Sequence, residues 1–445
     1  MLASLGVAAF PVAAVAQARP VGPGATIFSP TQNISNDAGS SLVQQMAIDS
    51  KGNINVVWWD KSPGYNAVFF SRSIDGGLTF SIPQNISNDP SGATPPNMAI
   101  DSTGNIYVTW AGWSVDSGFL TRSADGVNFS APVKVADNIG WTPSITFGVD
   151  RSVYLGLGDA SRYHSVYFTR SADGGTTFSP PVFISSMTYP FGGVPLIGVD
   201  SAGNIDLVWE GCFANCPIWF SGSKDGGQTF SPQLEIGQAF DFPSPLAMAI
   251  GSDGDINVVY NTVPFGSVYL LRSADGGASF IQTNVSTNTN PHFTTATDAQ
   301  IVIDSHRNIG VVWDDRVGDI YFSRSTDQGT TFSSATISNG AVRNFAPRVA
   351  LDQSDNINVV WTGSLSSSYD VFFSHSSDNG ATFSTPQQLS NNAGSSSPTP
   401  ELVLDSLGNP SVTWVDYSSG NPDIFSTRGV LQIPPVLPKS ILQLP

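Results

Sequence analysis

Residues 73–80 read Ser73-Ile74-Asp75-Gly76-Gly77-Leu78-Thr79-Phe80, and the pattern they spell, Ser-x-Asp-x-Gly-x-(Thr/Ser)-Phe, occurs seven times along the chain. The copies begin at Ser73, Ser123, Ser171, Ser223, Ser273, Ser325 and Ser376, the second being contracted. Their aspartates, Asp75, Asp125, Asp173, Asp225, Asp275, Asp327 and Asp378, lie 48 to 52 residues apart. A period of that size marks stacked supersecondary units, each too small to bury its apolar face alone.

A second pattern runs in phase with the first, seen best in Ile48-Asp49-Ser50-Lys51-Gly52-Asn53-Ile54-Asn55-Val56-Val57-Trp58. Its eight anchors are Asp49, Asp101, Asp150, Asp200, Gly251, Asp304, Asp352 and Asp405. Nine positions on stand Trp58, Trp110, Trp209, Tyr260, Trp313, Trp361 and Trp414, and the contracted third copy ends near Leu157. Around both patterns each unit divides into four apolar segments, in the first unit Gln45–Asp49, Ile54–Trp59, Ala67–Ser73 and Leu78–Ile86. These read as strands A to D. A Gly-Asn turn joins A to B, and the repeated aspartate motif joins C to D.

Four antiparallel strands repeated radially solve the edge-strand problem as a β-propeller does. The chain ends supply the closure. Phe28-Ser29-Pro30-Thr31-Gln32-Asn33-Ile34-Ser35-Asn36-Asp37 matches Phe80-Ser81-Ile82-Pro83-Gln84-Asn85-Ile86-Ser87-Asn88-Asp89, a fourth strand with no unit before it. The last unit has strands A and B around Asp405 and a third at Asp423–Thr427, but no fourth. The expectation is therefore an all-β, eight-bladed β-propeller of four-stranded antiparallel blades, with the last blade completed by residues 26–36.

Composition agrees: 12% of the 445 residues are charged, and no long helical period appears. The net charge of −17 opposes nonspecific attraction to nucleic acid or anionic lipid. Residues 1–18 are apolar and end Ala16-Gln17-Ala18, which predicts a signal peptide cleaved near Ala18 and a secreted, periplasmic or cell-surface product. The domain expectation is thus 1–18 signal, 19–429 propeller and 430–445 a Pro-rich tail, acting as clasp or linker. No other run is long enough to span a bilayer. Cys212 and Cys216 are expected to form a local disulfide after export. The four histidines are scattered without ligand spacing, so neither metal nor cofactor is expected. Gly251–Asp255 and Asp352–Asn356 imitate calcium loops but occupy the A–B turn position.

The seven aspartate motifs resemble the Asp-box (BNR) repeats of the sialidase superfamily, and the resemblance covers residues 26–429. It implies a structural role for the motif: the aspartate ties down the loop between the third and fourth strands, and the aromatic residue tucks between sheets. Alternating strand direction puts A–B turns and Asp-boxes on one face of the ring. B–C loops and D–A connections share the other, where binding is expected.

That second face carries Trp59, Asp60, Trp113, Trp141, Arg162, Tyr163, His164, Glu210, Asp314, Asp315, Asp416 and Tyr417. Aromatic rings beside carboxylates suit sugars, although the same rings also serve to pack loops together. Nearer the axis, the channel-facing positions are Gln45, Asn97, Thr146, Leu196, Ala247, Gln300, Arg348 and Glu401, with Arg348 and Glu401 on adjacent blades placed for an ion pair. The first reading is a binding or scaffold module for a glycan or an extracellular protein.

A sialidase reading remains as the alternative. The resemblance implies three arginines on a substrate carboxylate, a tyrosine nucleophile and acidic partners. Here the candidates are Arg316, Arg343 and Arg348, with Tyr417 or Tyr163 as nucleophile and Glu210 or Asp315 as proton carrier. The family's Phe/Tyr-Arg-Ile/Leu-Pro signature is absent, and family sialidases are usually six-bladed, so the departures weigh against carrying the activity over. A structural subunit of an extracellular assembly is the second alternative.

Overall fold

A computed structural model describes residues 26–36, 39–160, 165–185, 191–192, 195–212, 216–239, 246–262, 267–286, 297–315, 318–338, 343–365, 368–390 and 399–431, with the backbone alone at 191, 192, 212, 297, 298, 365 and 431. The predicted signal segment, Arg162, Tyr163, His164, Arg316 and the tail from 432 lie outside the described residues. Among the described residues every regular element is a strand. No helix is long and apolar enough to cross a membrane.

The strands form eight antiparallel blades. In blade 1, strands A to D are Ser41–Ile48, Ile54–Asp60, Ala67–Ser73 and Gln84–Asn85. The order repeats around the ring. In blade 8, strands A to C are Glu401–Leu404, Pro410–Asp416 and Asp423–Leu431. Its outer strand is the amino-terminal segment, with Thr26 opposite Leu431 and Gln32 opposite Ser426. Closure by the two ends of the chain is as expected.

Strand D of blade 1 is shorter than the expected Leu78–Ile86. Its ladder with strand C holds Gln84 and Asn85, flanked by single backbone hydrogen bonds from the Ser81 amide to Arg72 O and from the Ile86 amide to Val68 O. The first residues of that segment fold into the motif turn, and Pro83 has no N–H to donate. Ile82 is 89% exposed.

The core lies between blades. Val57, Val68 and Phe70 of blade 1 pack on Ile106, Val108 and Trp110 of blade 2, and comparable clusters fill the other seams. Strand B is rich in apolar residues and almost wholly buried because both of its faces are covered. The six tryptophans Trp58, Trp110, Trp209, Trp313, Trp361 and Trp414 are buried, and several stack on the strand C aromatic opposite, Trp313 on Tyr321 at 4.4 Å.

The motif turn satisfies itself. Asp75 Oδ1 accepts hydrogen bonds from Ser73 Oγ (2.8 Å) and the amides of Leu78 (3.0 Å) and Thr79 (2.9 Å), while Thr79 Oγ1 donates to Oδ2 at 2.6 Å. Gly76 (φ 72°) and Gly77 (φ 91°) supply the left-handed backbone that the loop requires. The Thr79 hydroxyl, foremost among these donors, holds the Asp75 carboxyl down at about 2. In the A–B turn Asp49 accepts from the amides of Lys51 and Asn53 and from the Asn53 side chain.

An arginine in strand C locks neighbouring blades on this face. Arg72 pairs with its own Asp49 at 2.5 Å and donates to the carbonyl of Asp125, in the next blade's motif turn, at 2.7 Å. Arg122, Arg170, Arg272 and Arg324 reach the following turn likewise, and Arg428 pairs with Asp405 at 3.1 Å beside Gly76 of blade 1. These contacts place A–B turns and motif turns together on one face.

Candidate functional site

The opposite face carries the B–C loops and D–A connections. Its exposed large apolar side chains, among the described residues, are Val43, Trp113, Val115 and Trp141. All four fall in the sector from blade 1 to the connection between blades 2 and 3. Trp113 begins the B–C loop of blade 2, its amide donating to Gly92 O at 2.9 Å, and its side chain is 67% exposed. Trp141, in the following D–A connection, is 46% exposed and lies over Gly158 of blade 3. Trp59 sits between them and the rim of blade 1. Its indole Nε1 donates to Ala93 O at 2.8 Å, and Lys61 covers its ring at 4.9 Å from the centroid. Two of the three tryptophans therefore present open ring surface.

Val43 has a left-handed backbone (φ 50°) within a bulge of strand A, between Leu42 and Gln45. A β-branched residue is strained there. The bulge is held by Gln44, whose buried side chain donates to Thr399 O of blade 8 at 2.6 Å. The bulge thus turns Val43 outward. Sequence reasoning missed Val43 and Val115, and the only available signal was the extra length of strand A before Gln45.

The carboxylates expected on this face are buried. Asp60 is 0% exposed and accepts from Trp58 Nε1 (2.8 Å), Ser41 Oγ (3.0 Å) and the Ser62 amide (2.7 Å), closing the end of strands A and B. Asp416 accepts from Trp414 Nε1 at 3.3 Å and the Ser418 amide at 2.8 Å in the same way. Asp315 binds the amides of Gly318 (2.9 Å) and Asp319 (2.8 Å) and the Tyr321 hydroxyl (3.3 Å). Asp314 and Glu210 are buried at strand ends. Tyr417 packs half-buried against the core of blades 8 and 1.

Of the arginine candidates, Arg348 lies on the channel wall with its Nε 3.3 Å from Glu401 Oε1, joining blades 7 and 8. Burial pushes the Glu401 carboxyl up, and the Arg348 charge opposes that shift. Arg343 is exposed at the outer end of the same strand A region. On the motif-turn face, Asp304, His306 and Asp355 bring one ligand-type atom each within 4.8 Å. Asp304 is engaged by its own turn and by Arg324 at 3.4 Å, and Asp355 by Ser305 and His306. Cys216 is buried and disulfide-bonded.

No protein-family model and no curated protein matches the chain. Among solved structures, a polysaccharide lyase of family PL25, an ulvan lyase bound to a GlcA-Rha3S segment, aligns with TM-score 0.51 and 13% identity over 79% of this chain and 94% of its own. A protein of unknown function from Dyadobacter fermentans aligns with TM-score 0.49 and 15% identity over 91% of this chain and 99% of its own. The NanB sialidase of Streptococcus pneumoniae aligns with TM-score 0.39 and 14% identity over 90% of this chain and 70% of its own. At these identities the likeness is one of fold.

Proposed function

We propose that the protein is an exported Asp-box propeller that binds a glycan through the B–C and D–A loops of blades 1 to 3. The observation that carries this reading is the joint exposure of Val43, Trp113, Val115 and Trp141 in that sector. Exposed indoles on a rigid sheet end offer flat apolar faces for the C–H surfaces of a sugar ring. The acids expected as proton carriers, Glu210 and Asp315, are buried, and Arg348 is held by Glu401, which favours binding over glycoside cleavage. The similarity in fold to a polysaccharide lyase is in keeping with a carbohydrate ligand.

Titration of purified protein with acidic and neutral oligosaccharides, read by tryptophan fluorescence and calorimetry, tests the proposal. Trp113→Ala and Trp141→Ala should each weaken binding about fivefold, from ~1 kcal/mol of lost ring contact. Saturable binding untouched by either substitution, or turnover of a glycoside, would refute it.

A further inference from the structure

The strand C arginine is missing from two blades, as Gly222 in blade 4 and His375 in blade 7, and of these two only blade 4 is followed by a motif turn that an arginine would lock. In strand pairing, Arg72 stands opposite Asn55, Arg122 opposite Tyr107, Arg170 opposite Tyr154, Arg272 opposite Asn257, Arg324 opposite Gly310 and Arg428 opposite Ser411. In blade 4 the pair is Asp206 opposite Gly222. The arginine is gone, and a carboxylate has appeared across from its place.

The missing side chain leaves an open pocket of about 400 Å³ between blades 4 and 5. Its walls include Asp200 and Asn204 of the blade 4 A–B turn and Gly276 and Gly277 of the blade 5 motif turn, the same two elements that the arginines bridge elsewhere. Asp206 also lines it, is 4% exposed, and makes no side-chain hydrogen bond among the described residues. Asp200 keeps its turn bonds to the Ala202 and Asn204 amides and to the Asn204 side chain, but has no arginine such as Asp49 has. Lys224 stands exposed at the rim near Gly276. Phe220 closes one wall beside Gly222.

We propose that this pocket binds a guanidinium group supplied from outside the chain, which takes the place of the arginine that six other seams provide for themselves. Asp206 and Asp200 would receive its N–H groups as charge-assisted hydrogen bonds. The motif-turn carbonyls of blade 5 would accept the rest, as the Asp125 carbonyl accepts from Arg72. A planar fork of donors fits this site better than an ammonium, because the acceptors lie on two separate turns. The site is on the face opposite the proposed glycan surface and does not depend on it.

Calorimetric titration of the full chain with methylguanidinium and with acetyl-Gly-Arg-Gly-amide tests the proposal. Saturable one-to-one binding is expected, weakened roughly tenfold or more in Asp206→Asn. Gly222→Arg should abolish it by filling the pocket in cis; residue 222 has no positive φ, and an added Cβ meets the edge of the Phe220 ring at 3.1 Å, so that ring must shift slightly to admit it. Lys224→Gln should strengthen it, since the site would lose a competing positive charge. Tighter binding of the peptide assigns the occupant as an arginine side chain of a partner, whereas equal binding assigns a small free guanidinium compound. Absence of saturable binding by either probe, or binding unchanged in Asp206→Asn, overturns the proposal.

Discussion

Replacing Asp206 by asparagine isolates the energetic consequence of the broken lock. The buried carboxyl has no hydrogen-bond donor among the described residues, and burial, with the Asp200 charge, pushes it from 3.8 up to about 7. The folded protein therefore holds this proton more tightly than the unfolded chain does. Stability contributed by the protonated group is fully present below pH ~4 and is lost as pH rises through about 7. A shift of about three pK units at 1.36 kcal/mol each corresponds to ~4 kcal/mol. Asparagine mimics the neutral form in size and removes the titration. The variant should match the wild type near pH 4 and exceed it above pH 7. For a chain of 445 residues unfolding as one unit, ~4 kcal/mol is ~4 °C in Tm. Scanning calorimetry of both proteins from pH 4 to 8 without guanidinium compounds reads the difference directly, because every other titrating group cancels. Parallel Tm curves across that range would refute the argument that an ionised Asp206 is stranded.

The motif-turn aspartates carry the opposite sign. Asp75, Asp225, Asp327 and Asp378 are held down at about 2, and Asp125, Asp173 and Asp275 lower still, chiefly by hydroxyl and amide donors of their own turns. Their contribution is present above pH ~4 and lost as pH falls through about 2, so circular dichroism should register cooperative acid unfolding in that window rather than near pH 5. Asp60→Ala strands the Trp58 indole, the Ser41 hydroxyl and the Ser62 amide, and should lower stability by ~2–3 kcal/mol, checked as a urea midpoint shift with unchanged slope. Deleting residues 1–36 removes the outer strand of blade 8, and should give a chain with sharply lowered Tm and greater protease sensitivity around Asp423–Leu431.

What was readable from sequence was what is local or repeated. The motif turn is legible because Asp75, Gly76, Gly77 and Thr79 make their bonds within one loop, and ring closure because residues 28–37 copy residues 80–89. Burial of the strand-end acids was not legible, since an aspartate after a tryptophan reads equally as loop or cap. The recurring spacing Trp58-x-Asp60 and Trp414-x-Asp416 held the signal: alternate residues of a strand point the same way, so indole and carboxylate meet.

The pocket demanded a reading of absence. Strand C arginines look like scaffold when taken one at a time, and they are. Set in register, Arg72, Arg122, Arg170, Gly222, Arg272 and Arg324 expose the one unit before another motif turn that lacks its lock. Loss of the arginine alone would be explained by drift in a tolerant position. Drift does not explain the second change, because a carboxylate placed opposite the vacancy lowers stability at neutral pH by the ~4 kcal/mol worked above, where Asn55 or Ser411 at the same position does not. Two changes at a single cross-strand pair, one removing the positive charge and the other adding a negative one, leave a buried carboxylate that Lys224 opposes only in part from the rim and that an external cation within the pocket would neutralise.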